Sequence, residues 1–184
     1  MKKVWIILGI IVLVILFSAV GSRNKFVTLE EGVDAQWANV ETVLQRRFDL
    51  IPNLVNTVKG YASHEKELLT EVTRLRSQWG AAATPDEKVG IAGAMQSALG
   101  RLMVVVERYP DLKANQNFLA LQDELAGTEN RISVERRRYN GAVRAYNVSI
   151  RKFPGAIWAS LFGFEKHAAF EAAPEAAAVP TVEF

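Results

Sequence analysis

The chain has 184 residues, no cysteine, and 22 basic against 20 acidic side chains, for a formal net charge of +2. That length suits one compact domain with appendages. The charge balance leaves no bulk electrostatic attraction on which to base nucleic-acid binding, and without thiols there is no disulfide framework, thiolate nucleophile or thiolate metal site.

After Met1, Lys2 and Lys3 an uncharged run extends from Val4 to Ser22, rich in Ile, Val and Leu. As a helix it reaches about 28 Å, close to the roughly 30 Å of a bilayer's hydrocarbon core. A cleaved secretory signal is the alternative, because Ser18, Ala19 and Gly21 are small enough for a processing site. Signal cores are shorter, at about 7 to 15 residues, so the length favours an uncleaved anchor over residues 1–25. Two lysines precede the run and Arg23 and Lys25 follow it, so orientation has little asymmetry to act on. The short basic tail tilts the reading toward a single-pass protein of the cell membrane with its domain on the extracytoplasmic side.

Beyond the run, Thr28 stands three residues before Glu31, the spacing of a capping box, and predicts a fresh helix start. Apolar residues then recur in steps of three and four from Val33 through Trp37, Val40, Leu44, Phe48, Ile51, Val55, Val58, Ala62, Leu69 and Val72 toward Trp79, one stripe along a helix that fails only at Glu65. Pro52 interrupts it. Lacking an amide hydrogen and opposing the carbonyl of Phe48, it either kinks a continuous helix or opens a new one at a corner.

Thr84, Pro85, Asp86 and Glu87 supply an N-cap, a first-turn proline and a capping-box glutamate. The helix they start carries Ala92, Met95, Leu99, Leu102, Val106 and Tyr109 on one seam suited to coiled-coil-like packing, and Pro110 is expected to close it. A last long helix is predicted from Asp111 to about Lys152, with Phe118, Leu121, Leu125, Ile132, Tyr139, Val143, Tyr146 and Ile150 inward, ended by Phe153, Pro154 and Gly155. No period-two alternation argues for a sheet. The expected fold is all-α: a transmembrane helix, then an antiparallel up-and-down bundle over residues 26–170, of four helices, or three with the first kinked at Pro52. Ile157, Trp158, Leu161, Phe162, Phe164 and Phe170 make a short apolar stretch, either packed on the bundle end or lying at a membrane surface. Residues 171–184, rich in Ala, Pro and Glu, read as a disordered tail.

The stretch QRRFDLIPNLVNTVKGYASHE, preceded by VDAQWANV and followed by NRISVERRRYN, AYN and FPG, resembles the LemA family of bacterial membrane proteins. The likeness extends from the N-terminal run to Phe170, with the tail from Ala172 outside it. It implies a membrane helix followed by an up-and-down helical bundle. It carries over no catalytic residue, because no activity is established for the family.

Candidate chemistry is sparse. His64 precedes Glu65, but Leu68 occupies the place where a HExxH zinc helix needs its second histidine. No nucleophile elbow, Walker loop or dinucleotide fingerprint occurs, so no metal, cofactor or catalytic residue is expected and the chain does not read as an enzyme. The competing reading is a hydrolase with a dispersed site. Arg46 and Arg47 with Asp49, and Arg131, Arg136, Arg137 and Arg138 with Glu129 and Glu135, form either solvated helix faces, an ion-pair network beside Pro52, or a docking surface. Arg46, Arg47, Arg136, Arg137 and Arg138 are the candidate partner residues. The expectation is a scaffold or interaction protein of the bacterial envelope, its partners the lipid bilayer through Val4 to Ser22 and a membrane or envelope protein or a second copy, with no nucleic acid.

Overall fold

The computed structural model describes residues 2–62 and 64–170; the expected disordered tail lies outside the described residues. Every regular element among them is helical: α1 (Lys2–Lys59), α2 (Lys66–Ala81), α3 (Pro85–Val106), α4 (Pro110–Lys113), α5 (Gln116–Arg151) and α6 (Gly155–Phe162). Two compact units arise along this chain, one from residues 2–38 with 137–169 and one from residues 39–136 with Phe170. Helices α1 and α5 contribute to both.

The apolar run and the first part of the stripe are one helix. Large side chains from Val4 to Val20 are exposed, whereas from Phe26 onward the periodic positions Val33, Val40, Leu44, Phe48, Ile51, Leu54 and Val58 are buried. Leu54 is fully buried where the spacing pointed to Val55, which is only half-buried. The helix start expected at Thr28 does not exist. Thr28 Oγ1 donates to the Asn24 carbonyl at 2.9 Å, the back-bond of a hydroxyl in a helix interior. A continuing helix satisfies the backbone groups that a break there would orphan, and no proline or turn residue forces one. Pro52 also lies inside α1, so the corner reading is excluded.

The stripe breaks instead after Lys59. Tyr61 and Ala62 amides both donate to the Val58 carbonyl, and α2 resumes with Leu69, Val72, Leu75 and Trp79 buried. Helix α2 packs on α3, which buries Ala92, Met95, Ala98, Leu99, Leu102 and Val106. The capping box at its start is formed: Glu87 N donates to Thr84 Oγ1, and the Ala83 and Thr84 amides donate to Glu87 Oε2. Those two amides hold the Glu87 carboxyl below its ordinary range. By length and composition α3, like α1, could cross a membrane, but its seam is buried inside the second unit.

Pro110 does not close α3, which stops at Val106; it opens the one-turn α4, in which Leu112 is buried. The last long helix starts five residues later than expected. Asn115 Oδ1 accepts the Phe118 amide at 3.0 Å, an N-cap that draws the boundary to Gln116. After α5 the chain turns into α6, which Gly163 ends at φ 77°, a left-handed conformation that favours glycine.

Candidate functional site

The most distinctive wording of the chain, from Gln45 to Val55, proves to be a junction of the second unit. Arg47 projects from the buried face of α1 and is 6% exposed. Its Nη1 donates to Glu129 Oε2 on α5 at 2.5 Å and to Gln96 Oε1 on α3 at 2.8 Å, so a single guanidinium joins three helices. Its Nε has no hydrogen-bond partner among the described residues. Burial pushes the guanidinium's pKa down, Glu129 pulls it back up by charge and hydrogen bond, and the nearby Arg136 opposes that. The head group of Arg136 lies 5.1 Å over the Phe170 ring, a cation–π contact that offsets part of its desolvation.

Next to Arg47 on α1, Phe48 stacks on Trp79 of α2 with centroids 4.4 Å apart. The Trp79 indole donates to Gln45 Oε1 at 2.8 Å, while Gln45 Nε2 donates to Asp49 at 2.8 Å. The Lys88 ammonium of α3 lies over the Trp79 ring, 5.6 Å from its centroid, and pairs with Glu41. Asp49 is thus engaged by Gln45, and of the expected ion-pair network Arg47 with Glu129 is the pair that joins α1 to α5. The burial of Arg47 also withdraws it from the surface, and the partners of its Nη1 lie within the unit.

The remaining candidates divide. Arg46 is exposed on α1 of the second unit, and Arg136 is half-buried there; Arg137 and Arg138 are exposed and belong to the first unit. A cleft of about 260 Å³ beside Arg47 is lined by Gln96, Gly100, Met103, Gln122 and Glu129. A larger open groove of about 590 Å³ between α1 and α2 has Lys59, Lys66 and Arg74 on an apolar floor of Val55 and Leu69. Its Thr73 and Ser77 hydroxyls donate to backbone carbonyls one turn back, and neither cavity pairs a nucleophile with a base. Among the described residues no three His, Asp or Glu side chains gather as a metal site.

Sequence reasoning passed over two clusters. Glu65, the step at which the apolar stripe fails, accepts from Arg108 Nη2 at 2.9 Å and from the Tyr109 hydroxyl at 3.2 Å, while Asn115 donates to the Tyr61 hydroxyl at 2.9 Å. These bonds lock the α1–α2 turn to the α3–α4 and α4–α5 turns, and burial with the adjacent Glu65 hydrogen bond and charge raises the Tyr109 pKa. In the first unit the AYN motif holds the segment after α6. Asn147 donates to the His167 carbonyl at 2.9 Å and accepts its amide at 3.1 Å, mimicking a backbone pair, and Tyr139 donates to the Ala168 carbonyl at 3.2 Å. Tyr146 donates to Glu30 at 3.3 Å and meets the His167 ring edge-on at 4.9 Å. A tyrosine and an asparagine adjacent on a helix were the visible signal; the asparagine's target, non-helical backbone twenty residues on, was not.

A sequence profile described as the LemA family matches residues 36–184. The chain belongs to the LemA family. The match includes the tail from Ala172, which the sequence motifs had left outside. This LemA-family chain is 29% identical, over 178 aligned residues, to the magnetosome protein MamQ 2 of Paramagnetospirillum magneticum, an alignment covering 82% of the chain and 65% of that relative. It is 27% identical to the magnetosome protein MamQ of Magnetospirillum gryphiswaldense, covering 82% and 65%, and 25% identical to protein LemA of Metamycoplasma hominis, covering 74% and 63%. The chain thus spans just under two thirds of the length of these relatives.

Proposed function

We propose that this LemA-family protein is a single-pass, membrane-anchored interaction protein of the bacterial envelope, whose helical domain binds a protein partner or a second copy of itself. The observation that carries this is the exposed apolar run of α1, bare from Val4 to Val20 and continuous with the helix that lines the core. Residues 1–25 serve as the anchor and residues 26–170 as the helical body, packed up and down, on the extracytoplasmic side. The clusters built by the family motifs are spent on holding helices together: Arg47, Gln45, Glu65 and Asn147 each join separate segments. The exposed residues Arg46, Arg137 and Arg138 are then the candidate docking groups, a side-chain type suited to carboxylates of a partner.

The test is cross-linking and affinity capture of the full chain from native membranes. A stoichiometric membrane or envelope protein, or the chain itself, is expected, and Arg46→Glu or Arg137→Glu should weaken its recovery while the circular-dichroism melt stays unchanged. Recovery unaffected by both changes rejects these arginines as the docking groups. Turnover of a substrate by the purified chain, abolished by one side chain with the fold intact, rejects the scaffold reading itself.

A further inference from the structure

Helix α6 is built inside out for a protein in water. Its small residues Gly155 and Ala159 are buried, while Ile157 (57% exposed) and Leu161 (69%) face outward, as does Phe153 (79%) just before it. The helix carries no charged residue from end to end. Soluble helices bury their large apolar groups and leave small or polar ones outside; the same inversion is seen along Val4 to Val20 of α1. The two exposed surfaces are joined. The Trp158 indole donates to Ser18 Oγ at 3.2 Å, placing α6 beside the last turn of the apolar run, and Phe26, a turn beyond the run, meets Phe164 edge-on at 5.2 Å.

At the base of α6, within the same unit, a cleft of about 400 Å³ is lined by Ser22, Lys25, Ser149, Lys152 and Phe153 among others, with no acidic side chain on its walls. Neither lysine forms an ion pair among the described residues. Two ammonium groups beside an exposed aromatic, at the depth where the span emerges, match the phosphate and upper acyl chain of an anionic phospholipid.

The geometry points to α6 as a second membrane contact: it lies in the bilayer interface beside the span, with Phe153, Ile157 and Leu161 among the acyl chains and Lys25 and Lys152 on an anionic lipid headgroup. This rests on the reading of Val4 to Ser22 as a membrane span. The partner is the lipid surface itself. A protein partner would be expected to meet a mixed surface with aromatic or arginine anchors within a polar rim, whereas this patch is uncharged along the helix and cationic only at its base.

Because the chain has no cysteine, single cysteines give unique nitroxide labels in the full-length protein, reconstituted in bilayer discs. Val12→Cys reports the span, Ile157→Cys and Leu161→Cys report α6, and Ser97→Cys on α3 reports the exposed surface of the second unit. In discs of phosphatidylcholine with phosphatidylglycerol, both α6 labels are expected to prefer oxygen over a water-soluble nickel complex several-fold more than Ser97, at a depth shallower than Val12. If both α6 labels match Ser97 while Val12 is deep, the proposal falls and the span stands; if Val12 also matches Ser97, the span reading falls with it. The α6 preference should weaken in phosphatidylcholine alone, and Lys25→Gln with Lys152→Gln should erase the difference between the two lipids. A difference that is absent, that survives the double change, or that inorganic phosphate reproduces in phosphatidylcholine discs overturns the headgroup assignment.

Discussion

Arg47 shows how one side chain can be both the most conspicuous charge in a sequence and a structural rivet. Its guanidinium satisfies Glu129 and Gln96 at once, and removing it leaves the Glu129 carboxylate without its cation. Arg47→Ala should therefore destabilise the protein by about 3 kcal/mol, the lower end of the cost of breaking a buried pair, because Glu129 remains 36% exposed and recovers some hydration. A denaturant melt followed by circular dichroism measures this, and Arg47→Glu, which sets two carboxylates together, should cost more. Tyr146 is the second residue with a measurable consequence. Burial first, then the Glu30 charge and hydrogen bond, raise its pKa from 10.0 to about 12. A group whose folded pKa lies above its unfolded value contributes stability that is whole below the unfolded value and drains away as pH rises toward the folded one. The stabilisation from Tyr146 is thus complete below pH 10 and lost between 10 and about 12. Tyrosinate absorbance during alkaline titration should show a late-ionising component that Tyr146→Phe removes.

Among the elements, α1 and α6 make opposite demands on their punctuating residues. Pro52 sits within an unbroken helix, where it withholds one hydrogen bond from the Phe48 carbonyl. Pro52→Ala restores that donor, so helical content and melting temperature should be equal or higher and the transition should stay cooperative; a lost cooperative transition would mean that the proline shapes the packing. Gly155 is indispensable by contrast. A Cβ there would fall 2.5 Å from the Ser149 carbonyl oxygen and 3.2 Å from the Phe26 ring. Gly155→Ala should push α6 off α1 and α5 at a cost of about 1 to 3 kcal/mol, the usual penalty of overpacking, read as faster proteolysis within α6. Thr28 and Asn115 both carry the chemistry of a helix start, but each side chain can bond the backbone in more than one way, and neighbouring packing selects among them; Pro110, which has no amide hydrogen to donate, opens a short helix instead of closing one.

At the scale of the whole molecule, the bare run of α1 predicts that the protein stays with the membrane through alkaline washing and that its mature form still begins before Val4. Amino-terminal sequencing that starts near Gly21 or Ser22 would show a cleaved signal instead. That an all-helical chain with such a run follows from this sequence could be read directly, since both depend on local periodicity and on the length of an uncharged stretch, which neighbours do not alter. The heptad-like seam of α3 and its capping box at Thr84 and Glu87 were legible for the same reason. The partners of the polar motifs were not. Whether Arg47 faces water or Glu129, whether Asp49 meets an arginine or Gln45, and which backbone Asn147 would hold all depend on segments from 4 to 82 residues away. A side chain's donors are fixed by its type, but its burial and its acceptor exist only once helices have met. The sequence by itself determined the helices, the candidate span and the family motifs; the tertiary structure alone decided that those motifs hold the fold together, and that α6 turns its large apolar side chains outward, because burial is a property of the packed chain.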